Sequence, residues 1–141
     1  MTRAKWKKYE YTGQLGPGNI LVFRPIIAVD IANISGNEQI RTLALIDSGT
    51  DGTIFNADIA RAIGVDLSKC QKVKLGGIGA TDGHVSNIRL VIPDFDVAMD
   101  IPVVFVENLP FDGLLGQRHF FQRFNVKFEK DLNLFHLAVV K

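Results

Sequence analysis

Leu45-Ile46-Asp47-Ser48-Gly49-Thr50-Asp51-Gly52-Thr53 places a carboxylate directly behind an apolar run. That run, Leu43-Ala44-Leu45-Ile46, ends residues 40–46, which read as a strand apolar on both faces and therefore central in a sheet. A charge at the end of a buried strand costs free energy unless partners are supplied. Here a hydroxyl residue and a glycine follow the charge at once. Taken alone, Asp-Ser-Gly is also a common turn composition, so the neighbouring residues must decide between a site and a turn.

Upstream, Gly13, Gly16, Pro17 and Gly18 form a loop. Residues 20–29 read as one or two strands, with Pro25 favouring an edge or a bend, and Ser35-Gly36-Asn37 is a turn signal. Downstream, Asn56 caps a short helix over 56–63. Ile59 and Ile63 share one face of that helix, and Gly64 closes it. Residues 73–75 form a short strand before a glycine-rich turn. Strands over 84–92 and 95–106 are separated by Pro93-Asp94. A second short helix is predicted over 116–124. Residues 126–129 and 132–140 make a closing hairpin that turns near Lys130-Asp131. Short runs rich in Val, Ile and Phe between glycines indicate a mostly β domain. It spans 20–141 without repeats or an internal boundary, behind an N-terminal extension over 1–19 of uncertain order.

The 141 residues suit one domain, and 47% apolar content supports a core without disulfides or metals. Sixteen basic against fifteen acidic residues leave a net charge of +1, which argues against a nucleic-acid binder that relies on a broad positive field. Arg3, Lys5, Lys7 and Lys8 around Trp6 read as a solvated, poorly ordered tail, with a contact arm for a partner or an anionic surface as the alternative. Cys70, the single cysteine, forms no intrachain disulfide. No signal-type apolar segment follows the basic start, and no apolar run is long enough to span a bilayer, so the expected location is the cytoplasm. His84, His119 and His136 are scattered without ligand spacing, so neither a metal nor another cofactor is expected. Cys70 reads as a bystander thiol. A Ser48 nucleophile lacks the Gly-x-Ser-x-Gly context.

Four segments in order carry a resemblance. Leu45-Ile46-Asp47-Ser48-Gly49-Thr50, followed by a short helix, resembles the active-site segment of retropepsin-like aspartic peptidases. Ala60-Arg61-Ala62-Ile63-Gly64-Val65 is similar to the end of the helix in cellular and bacterial single-domain members, including the DNA-damage-inducible type. Leu75-Gly76-Gly77-Ile78-Gly79 resembles the flap that closes over substrate. Gly113-Leu114-Leu115-Gly116, with Phe120-Phe121 behind it, resembles the hydrophobic-hydrophobic-Gly segment that runs beside the catalytic loop. The resemblance covers residues 20–141. Retroviral members often place Arg directly after that glycine, where it braces the acidic residue past the triplet. Here Gln117 holds the position and Arg118 follows, so a brace from Arg118 to Asp51 requires a different helix start.

The resemblance implies an acid-protease barrel that is active as a two-fold homodimer. It implies hydrolysis of peptide or protein substrates by two carboxylates that share one proton; aspartic proteases are the worked example of that principle. The chain holds one Asp-Ser-Gly triplet, and Asp51, Asp82 and Asp112 precede glycine directly, as in turns. The second carboxylate is therefore expected from another copy. Asp47, Ser48 and Gly49 would be catalytic, with Ser48 bonding to the opposite subunit. Thr50, Asp51, Gly52, Gly77, Ile78 and Gly79 would meet the substrate. Residues 132–140 would form the dimer seam. Two alternatives stay open: a non-catalytic peptide-binding or dimerisation module on the same fold, and an unrelated β-barrel that binds a small ligand. No nucleic-acid or membrane partner is expected.

Overall fold

Side-chain burial alternates over much of residues 39–46, 87–92 and 97–105, the period of two expected of strands. The computed structural model describes residues 5–76 and 81–141. In chain order the elements are β1 (Lys7–Glu10), β2 (Thr12–Leu15), β3 (Leu21–Arg24), β4 (Ile26–Asn33), β5 (Gln39–Ile46), β6 (Ile54–Asn56), α1 (Ala57–Ala62), β7 (Gln71–Leu75), β8 (Thr81–Ile92), β9 (Val97–Val106), β10 (Gly113–Leu115), α2 (Phe120–Arg123), β11 (Phe124–Glu129) and β12 (Leu134–Val139). Four short 3-10 turns join them.

The main sheet runs β4-β5-β10-β6-β9-β8-β7. Pairing of β4 with β8 closes six of its strands into a barrel and leaves β7 outside the closure. The barrel is filled by inward residues such as Val29, Ile31, Ala44, Ile46, Phe55, Ile88, Leu90 and Phe105, all buried. A second sheet, β1-β12-β11, packs Phe135 and Leu137 into the same core. A third is the two-stranded hairpin β2-β3. The fold is mostly β with two short helices, as the composition of the runs suggested.

Several local expectations hold. Pro25 separates β3 from β4. Asn56 Oδ1 accepts the Asp58 N–H at 3.0 Å at the start of α1, and Gly64 takes φ +77° just beyond its end. Such a left-handed residue closes a helix at least cost when it is glycine. The closing hairpin turns over Lys130–Leu132.

Other expectations are corrected. β5 is central by pairing but not apolar-buried on both faces: Thr42, Ala44 and Ile46 point inward, whereas Leu43 is 50% exposed. The segment 116–124 is helical only over Phe120–Arg123, because Phe124 already begins β11. Phe95 belongs to a 3-10 turn, and β8 starts at Thr81. Lys7 and Lys8 do not sit in a solvated tail. They form β1, whose residues pair Lys7 with Leu137 and Lys8 with His136 on β12. Tyr9 anchors that strand by stacking on Phe135 at 5.1 Å, and its hydroxyl donates to Asp94 Oδ2 at 2.9 Å. Burial and the Asp94 carboxylate push the Tyr9 phenol well above its ordinary range. β12 is the middle strand of its sheet: β11 pairs with it along Leu134–Val139 and β1 along Leu134–Leu137. The open edges of that sheet are β1 and β11.

Candidate active site

Asp47 stands where β5 leaves the barrel. Ile46 N–H donates to Pro25 O at 2.9 Å, and Asp47 N–H donates to Leu115 O at 2.9 Å. The carboxylate is thus carried on a backbone held from both sides. Its two oxygens are each engaged: Oδ1 accepts the Gly49 N–H at 2.9 Å, and Oδ2 accepts the Thr50 hydroxyl at 2.9 Å. Thr50 N–H closes the turn on Asp47 O at 3.3 Å. Each bond fixes the orientation of a half-buried acid and lowers the cost of holding it at the end of an apolar strand. A Cβ on Gly49 would lie 3.2 Å from Asp47 Oδ1, a tight contact with the carboxylate. Ser48 is exposed, and its carbonyl, not its hydroxyl, makes the bond described next.

The segment after β10 lies across this loop. Gln117 N–H donates to Thr50 O at 2.8 Å, and Arg118 N–H donates to Asp51 O at 2.7 Å. The Gln117 side-chain amide donates to Ser48 O at 2.7 Å. A Cβ on Gly116 would fall 2.3 Å from Thr50 O and 2.5 Å from Gly52 O, so the crossing demands glycine. No ion pair joins Arg118 to Asp51 among the described residues. Instead the loop is held by these backbone bonds and by the side-chain amide of Gln117. Of the other Asp-Gly sites, Asp112 Oδ2 accepts the Thr42 hydroxyl at 2.9 Å, and Asp82 lies 3.7 Å from the Lys74 ammonium.

A cleft of about 570 Å³ opens beside the loop. Gly49, Thr50, Asp51 and Gly52 line it, so the expected substrate-contacting residues of the loop come together there. Asp47 and Ser48 are not among its lining residues. Gly77, Ile78 and Gly79 lie outside the described residues. The flanking Leu75, Gly76 and Thr81 do line the cleft. The opposite wall is apolar, from Val85, Pro102, Val103 and Val104. Arg118 and His119 complete the lining. His119 adopts φ +70°, ψ −63°, and its Nε2 is buried with no partner. The sequence reading missed Gln117 as a brace, the β9 wall and His119. Nothing in the local pattern marks them, since alternation along β9 does not say which face meets a cleft. No cluster of three or more metal-ligating side chains occurs among the described residues, and no described helix is long and apolar enough to cross a membrane.

The sequence profile of a family described as aspartyl protease matches residues 31–118, more than half of the chain. The crystal structure of a retropepsin-like aspartic protease from Rickettsia conorii superimposes with a TM-score of 0.61, covering 99% of this chain and 97% of that one at 18% identity. At that identity the likeness speaks for the fold. No curated protein matches. The profile match spans the Asp47 loop, α1, the cleft walls and the Gly116 crossing, and by it the chain belongs to the aspartyl protease family.

Proposed function

We propose that the chain is an aspartic endopeptidase that works as a two-fold homodimer, with one Asp47 from each subunit. The observation that carries this is the Asp47 carboxylate, held by the Gly49 N–H and the Thr50 hydroxyl, with the residues just after it, Gly49 to Gly52, lining a cleft of about 570 Å³. One chain supplies one such acid, so the pair is completed at a symmetry axis. Two carboxylates that close do not both ionise, and they hold one proton between them. The ionised member takes a proton from a water whose oxygen attacks the scissile carbonyl carbon. The protonated member donates to the carbonyl oxygen. Collapse of the tetrahedral adduct breaks the C–N bond as the carboxyl that took the water's proton passes it to the leaving nitrogen, while an adduct hydroxyl returns a proton to the other carboxylate and restores the shared proton. In this reading Ser48 bonds across the axis to the partner loop. Thr50, Asp51 and Gly52 pair with an extended peptide backbone, covered by Gly77, Ile78 and Gly79. The single thiol, Cys70, leaves the fold independent of an oxidising compartment, which fits a cytoplasmic enzyme.

Asp47→Asn tests this. Cleavage of a mixed peptide library across acidic to neutral pH should be lost, with the dimer intact by sedimentation. Cleavage at the wild-type rate would remove the mechanism. A wild type that dimerises and cleaves nothing would favour a peptide-binding module on the same fold.

A further inference from the structure

The β2-β3 hairpin is built inside out for a lone subunit. Its register pairs Gly13 with Phe23 and Leu15 with Leu21, so those four positions share one face. On that face Leu15 is 74% exposed, Leu21 57% and Phe23 37%, and Ile20 beside them is 66% exposed. Gly13 keeps the face smooth, since a Cβ there would lie 3.2 Å from the Phe23 ring. The opposite face, with Gln14, Val22 and Arg24, is half-buried. Gln14 lines a small groove with Leu43, Leu45 and Phe111, and the Arg24 guanidinium lies 5.1 Å over the Phe111 ring. The hairpin therefore grips its own barrel through its more polar face and presents its apolar face outward.

Apolar surface gathered in this way marks an interaction site. Arg24 is the only charged residue in 12–24, and it sits on the inner face, so the outer face has nothing to recognise an acidic or nucleic-acid partner. Charge-poor, Leu- and Phe-bearing surface suits the dry centre of a protein–protein contact. A two-stranded sheet with both edges unpaired is also marginal by itself and gains order once covered.

We propose that this face is covered by a second copy of the chain, and that it supplies the apolar part of the dimer contact which brings two Asp47 loops together. The inference rests on the homodimeric peptidase reading above. Its own support is position. The hairpin enters the barrel through Pro25, whose carbonyl accepts the N–H of Ile46, the residue immediately before Asp47. An uncovered apolar face is thus anchored at the end of the barrel where the second acid must arrive. A two-fold operation presents the same face of each subunit to the other.

The test is sedimentation equilibrium on the full chain, comparing wild type with Leu15→Glu and Leu21→Glu. Both side chains are largely exposed, so the variants should keep the wild-type unfolding temperature of the subunit. Each should weaken self-association by roughly tenfold to a hundredfold. Cleavage per subunit should return to the wild-type value at concentrations that restore the dimer. Backbone hydrogen exchange over residues 12–24 of the wild type, which needs no substitution, should quicken on dilution below the dimer dissociation constant. An unchanged dissociation constant in both variants, exchange insensitive to dilution, or a wild type monomeric at all concentrations would overturn the proposal. Asp47→Asn separates this claim from the peptidase reading. A Glu-sensitive dimer that still cleaves with Asn at position 47 removes the peptidase and keeps the interface. A Glu-insensitive dimer that loses cleavage with Asn removes the interface and keeps the peptidase.

Discussion

Gly116 has carbonyl oxygens of Thr50 and Gly52 where its side chain would be, at 2.3 and 2.5 Å from an added Cβ. Both are backbone atoms of the loop that carries Asp47, so neither can rotate away as a flexible side chain would. Alanine at 116 must push the two segments apart, stretching the Gln117–Thr50 and Arg118–Asp51 bonds together. We expect Gly116→Ala to destabilise by about 1–3 kcal/mol, the range for a forced backbone shift in a packed site. Cleavage should be lost even at temperatures where the variant is folded. Denaturant unfolding and a peptide-cleavage assay on the same sample check both parts. Gly49 is less confined, since its added Cβ would meet only Asp47 Oδ1 at 3.2 Å. The two glycines are retained for the same loop but for contacts of different hardness.

β4 and β5 carry a two-pronged ion pair. Asp30 and Arg41 stand opposite each other in the register, with Arg41 Nε at 2.7 Å from Oδ1 and Nη2 at 3.1 Å from Oδ2. Hydrogen bonding from the guanidinium lowers the Asp30 carboxyl below its ordinary value of 3.8, against the opposing push of burial. A carboxyl lowered on folding stabilises the fold fully above its unfolded value, and the contribution is lost as pH falls through the folded value. Arg41 is 63% exposed, so solvent screens the pair. Asp30→Asn should therefore cost only about 1 kcal/mol at neutral pH. The gap to wild type should close on acidification below the ordinary carboxylate range. Unfolding midpoints measured from neutral to strongly acidic pH would show it, and a gap that stays constant would refute the assignment. β1 shows the same economy at an edge: Lys7 and Lys8 are exposed on an open strand, where lysine discourages pairing with stray chains.

At the scale of the whole molecule, the barrel carries a single Asp-Ser-Gly loop, and the β2-β3 hairpin holds Leu15, Leu21 and Phe23 outward. If two subunits complete the site, cleavage per subunit should fall on dilution once the concentration passes below the dissociation constant. Progress curves over a dilution series check this. A rate per subunit independent of dilution, from a sample shown to be monomeric, would leave one chain sufficient.

Much of this was readable before folding, and the physical reason is locality. The Asp47 triplet behind an apolar run, the Asn56 cap, the Gly64 stop, the break at Pro25 and the Lys130-Asp131 turn depend on residues within a few positions of one another. Their backbone preferences act wherever the rest of the chain goes. The order of the four segments added the family, and with it the barrel. Tertiary structure alone settled three matters: that β1 joins β12 across most of the chain, that Gln117 braces Ser48, and that Leu15, Leu21 and Phe23 face outward. A period of two tells which side chains share a face of a strand. Which of the two faces meets the core depends on a neighbour brought in from far along the chain, and no local pattern records it.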